Sequence, residues 1–176
     1  MRIKCLLLIA FICLFSSGLQ VVIAAPKEQP QGTETQSWDQ NLPSSSRFTV
    51  LSAFGSAAVR DNNTGLVWEQ TADSTTRTQP EATLYCANKS VGGTSGWRLP
   101  SVVELRSALD LSAPNFASPV FSGINGNIFW SATANAEIPT QAWTVSYSGG
   151  GTIHSFVKGT SSWVWCVRGP MNADQY

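Results

Sequence analysis

Beyond residue 13 the chain has two cysteines, Cys86 and Cys166, eighty positions apart. Nothing else in the sequence limits the topology as much as whether these two are joined. A bond between them is worth roughly 4 kcal/mol in the chain-entropy treatment of a loop this long. The N-terminus argues for an oxidising compartment. Arg2 and Lys4 precede an apolar run from Cys5 to Phe15, which continues through Ser16, Ser17 and Gly18 to Val22-Ile23-Ala24-Ala25; from Pro26 the sequence turns abruptly polar. This is the pattern of a secretory signal peptide over residues 1–25, cut after Ala24 or Ala25, and it would take Cys5 and Cys13 with it. An uncleaved span over Leu6 to Ala25 is the alternative, but Gly18, Gln20 and the small residues that end the window favour cleavage. The expectation is a secreted or periplasmic chain with no stable membrane insertion after cleavage. Lipid anchoring is not expected, because Cys13 follows Ile12 and Cys5 follows Lys4. The even pair that is left reads as one disulfide, with two buried free thiols as the alternative.

The remaining length suits one domain with a substantial core. Eleven basic and eleven acidic side chains cancel, and only 12% of the 176 residues are charged, so no electrostatic steering of a partner is expected. No basic stripe is interleaved with aromatics, which argues against a nucleic-acid partner. Fourteen Gly and seven Trp instead suit a loop-rich secreted protein.

Residues 26–46 are rich in Gln, Pro, Thr and Ser and read as a disordered linker or arm, with Trp38 as its one large apolar side chain. The domain is expected over 47–170, with 171–176 as a tail. Short apolar runs at Phe48 to Leu51, Ala57 to Val59 and Leu66 to Trp68 read as strands, the last two joined by the turn signal Asp61-Asn62-Asn63-Thr64-Gly65. Pro80, with Ala82, Leu84, Tyr85, Cys86 and Ala87 behind it, predicts a first helix ending near Asn88 to Gly92. Gly92, Gly93 and Gly96 punctuate the following loop. A second helix over about 102–109 starts where Ser101 and Glu104 can cap each other, and Leu105 and Leu109 share the face turned to the sheet. Residues 110–128 form a long irregular connection of the kind that often carries function. Runs at 129–132, 142–147, 152–158 and 162–168 then read as strands of a closing antiparallel meander. The fold class is α+β, with two helices packed on antiparallel sheet, long loops, and a bridge from the first helix to the last strand.

Catalytic equipment is sparse. His154 is the only histidine, and no serine sits in a Gly-x-Ser-x-Gly elbow, so an enzyme is not expected and a hydrolase is only a remote alternative. No cofactor or metal site is expected either, since two bridged sulfurs and one imidazole fall short of a zinc ligand set. The signal that remains is aromatic and amide. Tryptophan stacks on sugar faces and anchors interfaces. Core packing is expected of Trp68, Trp97 and Trp143, while Trp130, Trp163 and Trp38 stand evenly between core and surface. Asn115, Asn125 and Asn127 in and beside the long connection present amides suited to sugar hydroxyls, although turns use the same residues. Arg98 is expected to pair with Glu104 rather than to bind an anion.

Five segments, in order, carry a resemblance: Arg47-Phe48-Thr49-Val50-Leu51, Val59 to Glu69, Gly96-Trp97-Arg98-Leu99-Pro100-Ser101-Val102-Val103-Glu104-Leu105, Phe129-Trp130-Ser131-Ala132-Thr133, and Val164-Trp165-Cys166-Val167-Arg168-Gly169. Together they resemble the Lcl C-terminal domain family over about residues 47–169. The resemblance implies a bacterial envelope or secreted protein and a fold related to the C-type lectin-like and formylglycine-generating-enzyme-like domains. The family's named member is a collagen-like surface adhesin that binds host glycosaminoglycans. Residues 26–46 lack Gly at every third position, so trimerisation through a collagen helix is not implied. Trp130-Ser131-Ala132 stands where calcium-dependent lectins have a Trp-Asn-Asp strand, and Glu137-Ile138-Pro139 offers a lone carboxylate. A calcium-dependent sugar site is therefore not implied. The reactive cysteines of the formylglycine-generating relatives have no counterpart beyond Cys166. The function so implied is non-catalytic, calcium-independent binding or adhesion to a carbohydrate, including glycosaminoglycan, or to a protein. The alternative is a structural subunit of an envelope or surface assembly.

Overall fold

The computed structural model describes residues 42–113, 116–124 and 126–169. Residues 1–25, expected to be a signal peptide, and Trp38, Asn115, Asn125 and the tail from 170 lie outside the described residues. No helix among the described residues is long and apolar enough to cross a membrane.

A single helical turn, α1 (Ser44–Arg47), leads into three antiparallel strands, β1 (Phe48–Val50), β2 (Ala58–Asp61) and β3 (Val67–Glu69). The turn between β2 and β3 closes where Asp61 accepts from the backbone N–H groups of Asn63 and Gly65, through its side chain and its carbonyl respectively. Helix α2 (Gln79–Ala87) follows, then the short strand β4 (Trp97–Arg98) and helix α3 (Val102–Ser107). Three longer strands, β5 (Ile128–Ala134), β6 (Gln141–Ser146) and β7 (Thr152–Val157), come next, and β8 (Val167–Arg168) is last. The strands form two sheets, ordered β1-β2-β3-β8-β4 and β5-β6-β7, and every strand pairing is antiparallel. The fold is α+β, as the sequence predicts.

Both helices begin where side chains satisfy backbone groups that the helix leaves open. Ser101 Oγ accepts the N–H of Glu104, whose carboxylate accepts the N–H of Ser101 in return. At α2 the Glu81 carboxylate accepts both the N–H and the hydroxyl of Thr78. Helix α3 ends at Ser107, so Leu109 lies just beyond it, but Leu105 and Leu109 both face the core.

Two apolar clusters hold the molecule together. The larger is built on Trp165, whose ring centroid lies 4.4 Å from Trp68 and 4.9 Å from Phe121, with Phe48, Leu105, Phe129, Val145 and Tyr147 in the same cluster. The smaller collects Ala82, Val91, Trp97, Leu99, Trp130 and Val164 around Cys86 and Cys166. Those two cysteines form a disulfide with their Cα atoms 5.5 Å apart. Burying one such aromatic stabilises the fold by about 3 kcal/mol, and the disulfide fixes α2 to the segment that enters β8.

Two expectations are corrected. The final segment, 162–168, is not a fourth strand of the meander. Ser162 and Trp163 make only isolated bridges, to Arg77 and Phe129, and the chain then crosses to the other sheet, where β8 inserts between β3 and β4. Burial of Trp165 against Trp68 and the bond to Cys86 direct it there. The end of the arm, in turn, is docked: Leu42 N donates to Asn63 Oδ1 at 3.2 Å, Ser44 Oγ donates to Asp110 Oδ1 at 2.7 Å, and 44–46 lie in α1.

Candidate functional site

The tryptophans sort by what their indole N–H groups do. Those of Trp97, Trp130 and Trp165 donate to the carbonyls of Thr94, Arg77 and Glu69 at 2.8, 2.9 and 2.8 Å. All three rings are buried. Trp68 is also fully buried, and its indole nitrogen is without a partner among the described residues. Trp130 therefore drops out of the surface candidates: it is 0% exposed, at the centre of the disulfide cluster, with Phe156 edge-on at 6.2 Å. Trp143, expected in the core, belongs to neither cluster and is half-buried on β6. The pairing of β5 with β6 shifts register between Trp130 and Ala134, opposite Trp143.

Trp163 is the remaining described candidate. It is half-buried against the larger cluster, and among the described residues its indole N–H makes no hydrogen bond. The backbone holds it firmly: its N–H donates to Ile128 O at 3.1 Å, and its carbonyl accepts the N–H of Trp130 at 3.0 Å. Ser162 Oγ donates to the same Ile128 carbonyl at 2.6 Å. Trp163 thus rides on the outer edge of β5 as a fixed platform.

Around it lies a groove of about 290 Å³ whose described lining residues include Thr76, Asn127, Phe156, Ser161, Ser162 and Trp163. Two of the residues singled out from the sequence, Trp163 and Asn127, are brought together here. Asn127 is half-buried; its amide donates to Gly123 O at 3.0 Å and its carbonyl accepts from Tyr147 N, which fixes the loop it occupies. Asn115 and Asn125 lie outside the described residues. Phe156, Thr76 and Ser161 were not singled out from the sequence. Only the period-two pattern of residues 152–158 pointed toward Phe156, and nothing local marked the other two. The described lining carries no charged side chain. The groove therefore offers aromatic and aliphatic faces ringed by hydroxyls and an amide, the mixture that stacks on and hydrogen-bonds a polar, uncharged ring.

A larger cavity, about 590 Å³, lies between Leu42–Arg47 and Leu109–Ser112. Most of its polar groups are already committed, but Asp110 Oδ2 is buried without a hydrogen-bond partner among the described residues. Arg47 donates to both carboxylate oxygens of Asp61 and to the carbonyls of Leu109 and Ser107. Asp110 Oδ1 accepts from Ser44, from the Ser112 hydroxyl and from Ser112 N. Burial opposes ionisation of Asp110, but the Ser112 and Ser44 hydrogen bonds and the nearby Arg47 outweigh it and hold its carboxyl below the ordinary value.

Arg98 pairs with Glu104 as the sequence suggests, and also donates to Gly169 O at 2.9 Å. His154 is exposed on β7 and stacks on Phe156 with ring centroids 6.2 Å apart; among the described residues its ring has no hydrogen bond to a serine or a carboxylate. No group of three His, Cys, Asp or Glu among the described residues is placed to hold a metal ion. In comparison with known proteins, the model of the Lcl C-terminal domain matches residues 57–168. No curated protein matches the chain.

Proposed function

The chain belongs to the Lcl C-terminal domain family, and from that membership and the Trp163 groove we propose that it is a non-catalytic binding domain that takes a carbohydrate without calcium. The observation that carries this reading is Trp163, which lines a groove, half-exposed, on a backbone held by hydrogen bonds and with an indole N–H left unbonded among the described residues. A volume of about 290 Å³ lies at the lower end of ligand pockets, which span roughly 300–1,000 Å³, and suits a single sugar ring rather than a long buried ligand. The uncharged lining favours a neutral glycan over a sulfated glycosaminoglycan. A protein ligand would use the same platform as an anchor for one side chain.

The finer fold reading, a C-type lectin-like domain, is supported by the pairing of an early helix with the last strand through a disulfide and by long loops between short strands. Export to a secreted or periplasmic location is supported by the disulfide, since such bonds persist in oxidising compartments. The isolated placement of His154 supports the non-catalytic reading.

The test is an array of neutral and sulfated glycans probed with the purified protein, with and without a chelator, beside Trp163→Ala. Retention that survives chelation and drops at least about tenfold in Trp163→Ala is expected, since stacking on an aromatic platform is worth on the order of 1–2 kcal/mol. Retention abolished by chelation, or unchanged in Trp163→Ala, would overturn the reading.

A further inference from the structure

The two edges of the β5-β6-β7 sheet are treated differently. The β5 edge is covered: Trp130 N donates to Trp163 O at 3.0 Å, Trp163 N donates to Ile128 O at 3.1 Å, and Ala132 N donates to Pro100 O at 2.7 Å. The β7 edge has no strand beside it among the described residues. Its pairing with β6 is regular over six residues, from Thr152 opposite Ser146 to Val157 opposite Gln141, with no bulge. Natural proteins blunt such edges with charge, proline, bulges or a covering element; within Thr152–Val157 β7 has none of these.

The alternation of an antiparallel ladder says which backbone groups are open. Just past the strand, Lys158 N donates to Thr140 O at 2.9 Å, and at the other end Ser146 O is turned toward the β7 side, where it accepts Gly151 N. The even-numbered residues of β7 therefore exchange bonds with β6, and Ile153, Ser155 and Val157 turn their N–H and C=O groups outward. Among the described residues, Val157 O alone of these outward groups has a partner, the N–H of Thr160. Ile153 and Val157 are 37% and 54% exposed, on the face that also carries half-buried Trp143.

The residue types fit one occupant. Ile153-His154-Ser155-Phe156-Val157 reads aliphatic, aromatic, serine, aromatic, aliphatic from either end. We propose that β7 is a self-docking edge, on which a second copy of this chain adds its own β7 antiparallel, centred on Ser155. In that register Ser155 faces Ser155, each Ile153 faces the other copy's Val157, and each His154 faces its Phe156. Pairs of β-branched and aromatic residues are those that stabilise adjacent strands, and no like charges oppose one another. The outward N–H and C=O groups of Ile153 and Ser155 then bond across the interface, joining two three-stranded sheets into one of six. The pairing does not depend on the sugar reading, although it brings the second copy's His154 beside Phe156, which also lines the Trp163 groove.

Sedimentation equilibrium of the purified protein over a wide concentration range tests this, together with Ile153→Pro, which deletes an outward N–H and an exposed aliphatic group without taking a bond from β6. A monomer–dimer equilibrium is expected, with the association constant falling at least about tenfold in Ile153→Pro. Register is read separately with single cysteines under mild oxidation: Ser155→Cys is expected to cross-link two copies efficiently and Ile153→Cys poorly, which keeps the test decisive if the proline variant folds badly. A protein that stays monomeric at all concentrations, a dimer indifferent to Ile153→Pro, or equal cross-linking by both cysteines would overturn the proposal.

Discussion

The Glu69 carboxylate accepts the backbone N–H of Cys166 at 2.8 Å, so a side chain on β3 holds the main chain of the disulfide segment in place. Its other oxygen pairs with Lys89, just past the end of α2. One buried carboxylate thus ties β3 to both of the pieces that the disulfide joins. Burial pushes the Glu69 carboxyl above its ordinary value, and the Lys89 and Cys166 contacts offset this only in part. Lys89 is raised despite its own burial, chiefly through its hydrogen bond to Glu69. Burial governs the carboxylate and pairing governs the ammonium, since Lys89 keeps more contact with solvent.

Replacing Glu69 with Ala leaves the Cys166 N–H without its acceptor and Lys89 without its ion-pair partner. A loss of about 3 kcal/mol is expected. Denaturant unfolding of the variant under oxidising conditions checks it; a loss within experimental error would show that the network contributes nothing beyond the disulfide.

Reduction of the Cys86–Cys166 bond, which closes a sequence separation of 80 residues, is expected to lower stability by roughly 4 kcal/mol. Unfolding curves with and without a thiol reductant measure this. Thiol titration of the native protein is expected to find neither Cys86 nor Cys166 reactive.

Glu104 sets an acid limit. Burial disfavours its charge, but hydrogen bonds from Arg98 and Ser101 outweigh that and hold its carboxyl below the ordinary 4.5. A folded value below the unfolded one means that its contribution to stability is present above about pH 4.5 and is lost as pH falls through the folded value. Glu69 runs the other way: its raised value makes its contribution greatest below 4.5 and erodes it as pH rises. For Glu104→Gln a loss of about 2 kcal/mol at neutral pH is expected, shrinking as the solution is acidified. A difference from the parent that stays constant down to strongly acid pH would contradict this.

Gly92 has φ +55°, and a Cβ placed there would lie 2.4 Å from the Phe54 Cα. Strained backbone conformation and a collision with main-chain atoms act together, so Gly92→Ala is expected to cost on the order of 2 kcal/mol or more. Gly93, at φ +75° with open space around it, is expected to tolerate the same change better. The ordering of the two melting temperatures checks the claim.

Local chemistry was the legible part of this sequence. The Ser101 and Glu104 cap, the Asp61 to Gly65 turn, both main helices and the Arg98–Glu104 pair could be read because each depends on residues a few positions apart. The cysteine pair was legible for a different reason, the even count beyond residue 13. Which strand lies beside which was not: residues 162–168 alternate like a meander strand, yet alternation carries no information about partners, and the choice of β3 and β4 follows from contacts about a hundred positions away, such as Trp165 with Glu69. The tryptophans illustrate the same limit. Trp130 and Trp143 lie on adjacent strands of similar composition, yet the first is sealed in the disulfide cluster and the second is half-buried, a difference that composition does not disclose. Trp163 and Asn127 meet because 162–163 runs beside β5, a relationship that no local pattern records.

The placement of β8 has a consequence for how a copy of this protein comes into being. Strands β3 and β4 are not bonded to each other; each is bonded to β8, the last of the described elements. While a ribosome is still making the protein, the five-stranded sheet exists as two separate fragments with a slot between them, and the sulfur partner for Cys86 has not been synthesised. Both deficits are cured by the same few residues, 165–168. A copy that stops short of 165–168 therefore lacks both the strand that closes the sheet and the sulfur that closes the disulfide.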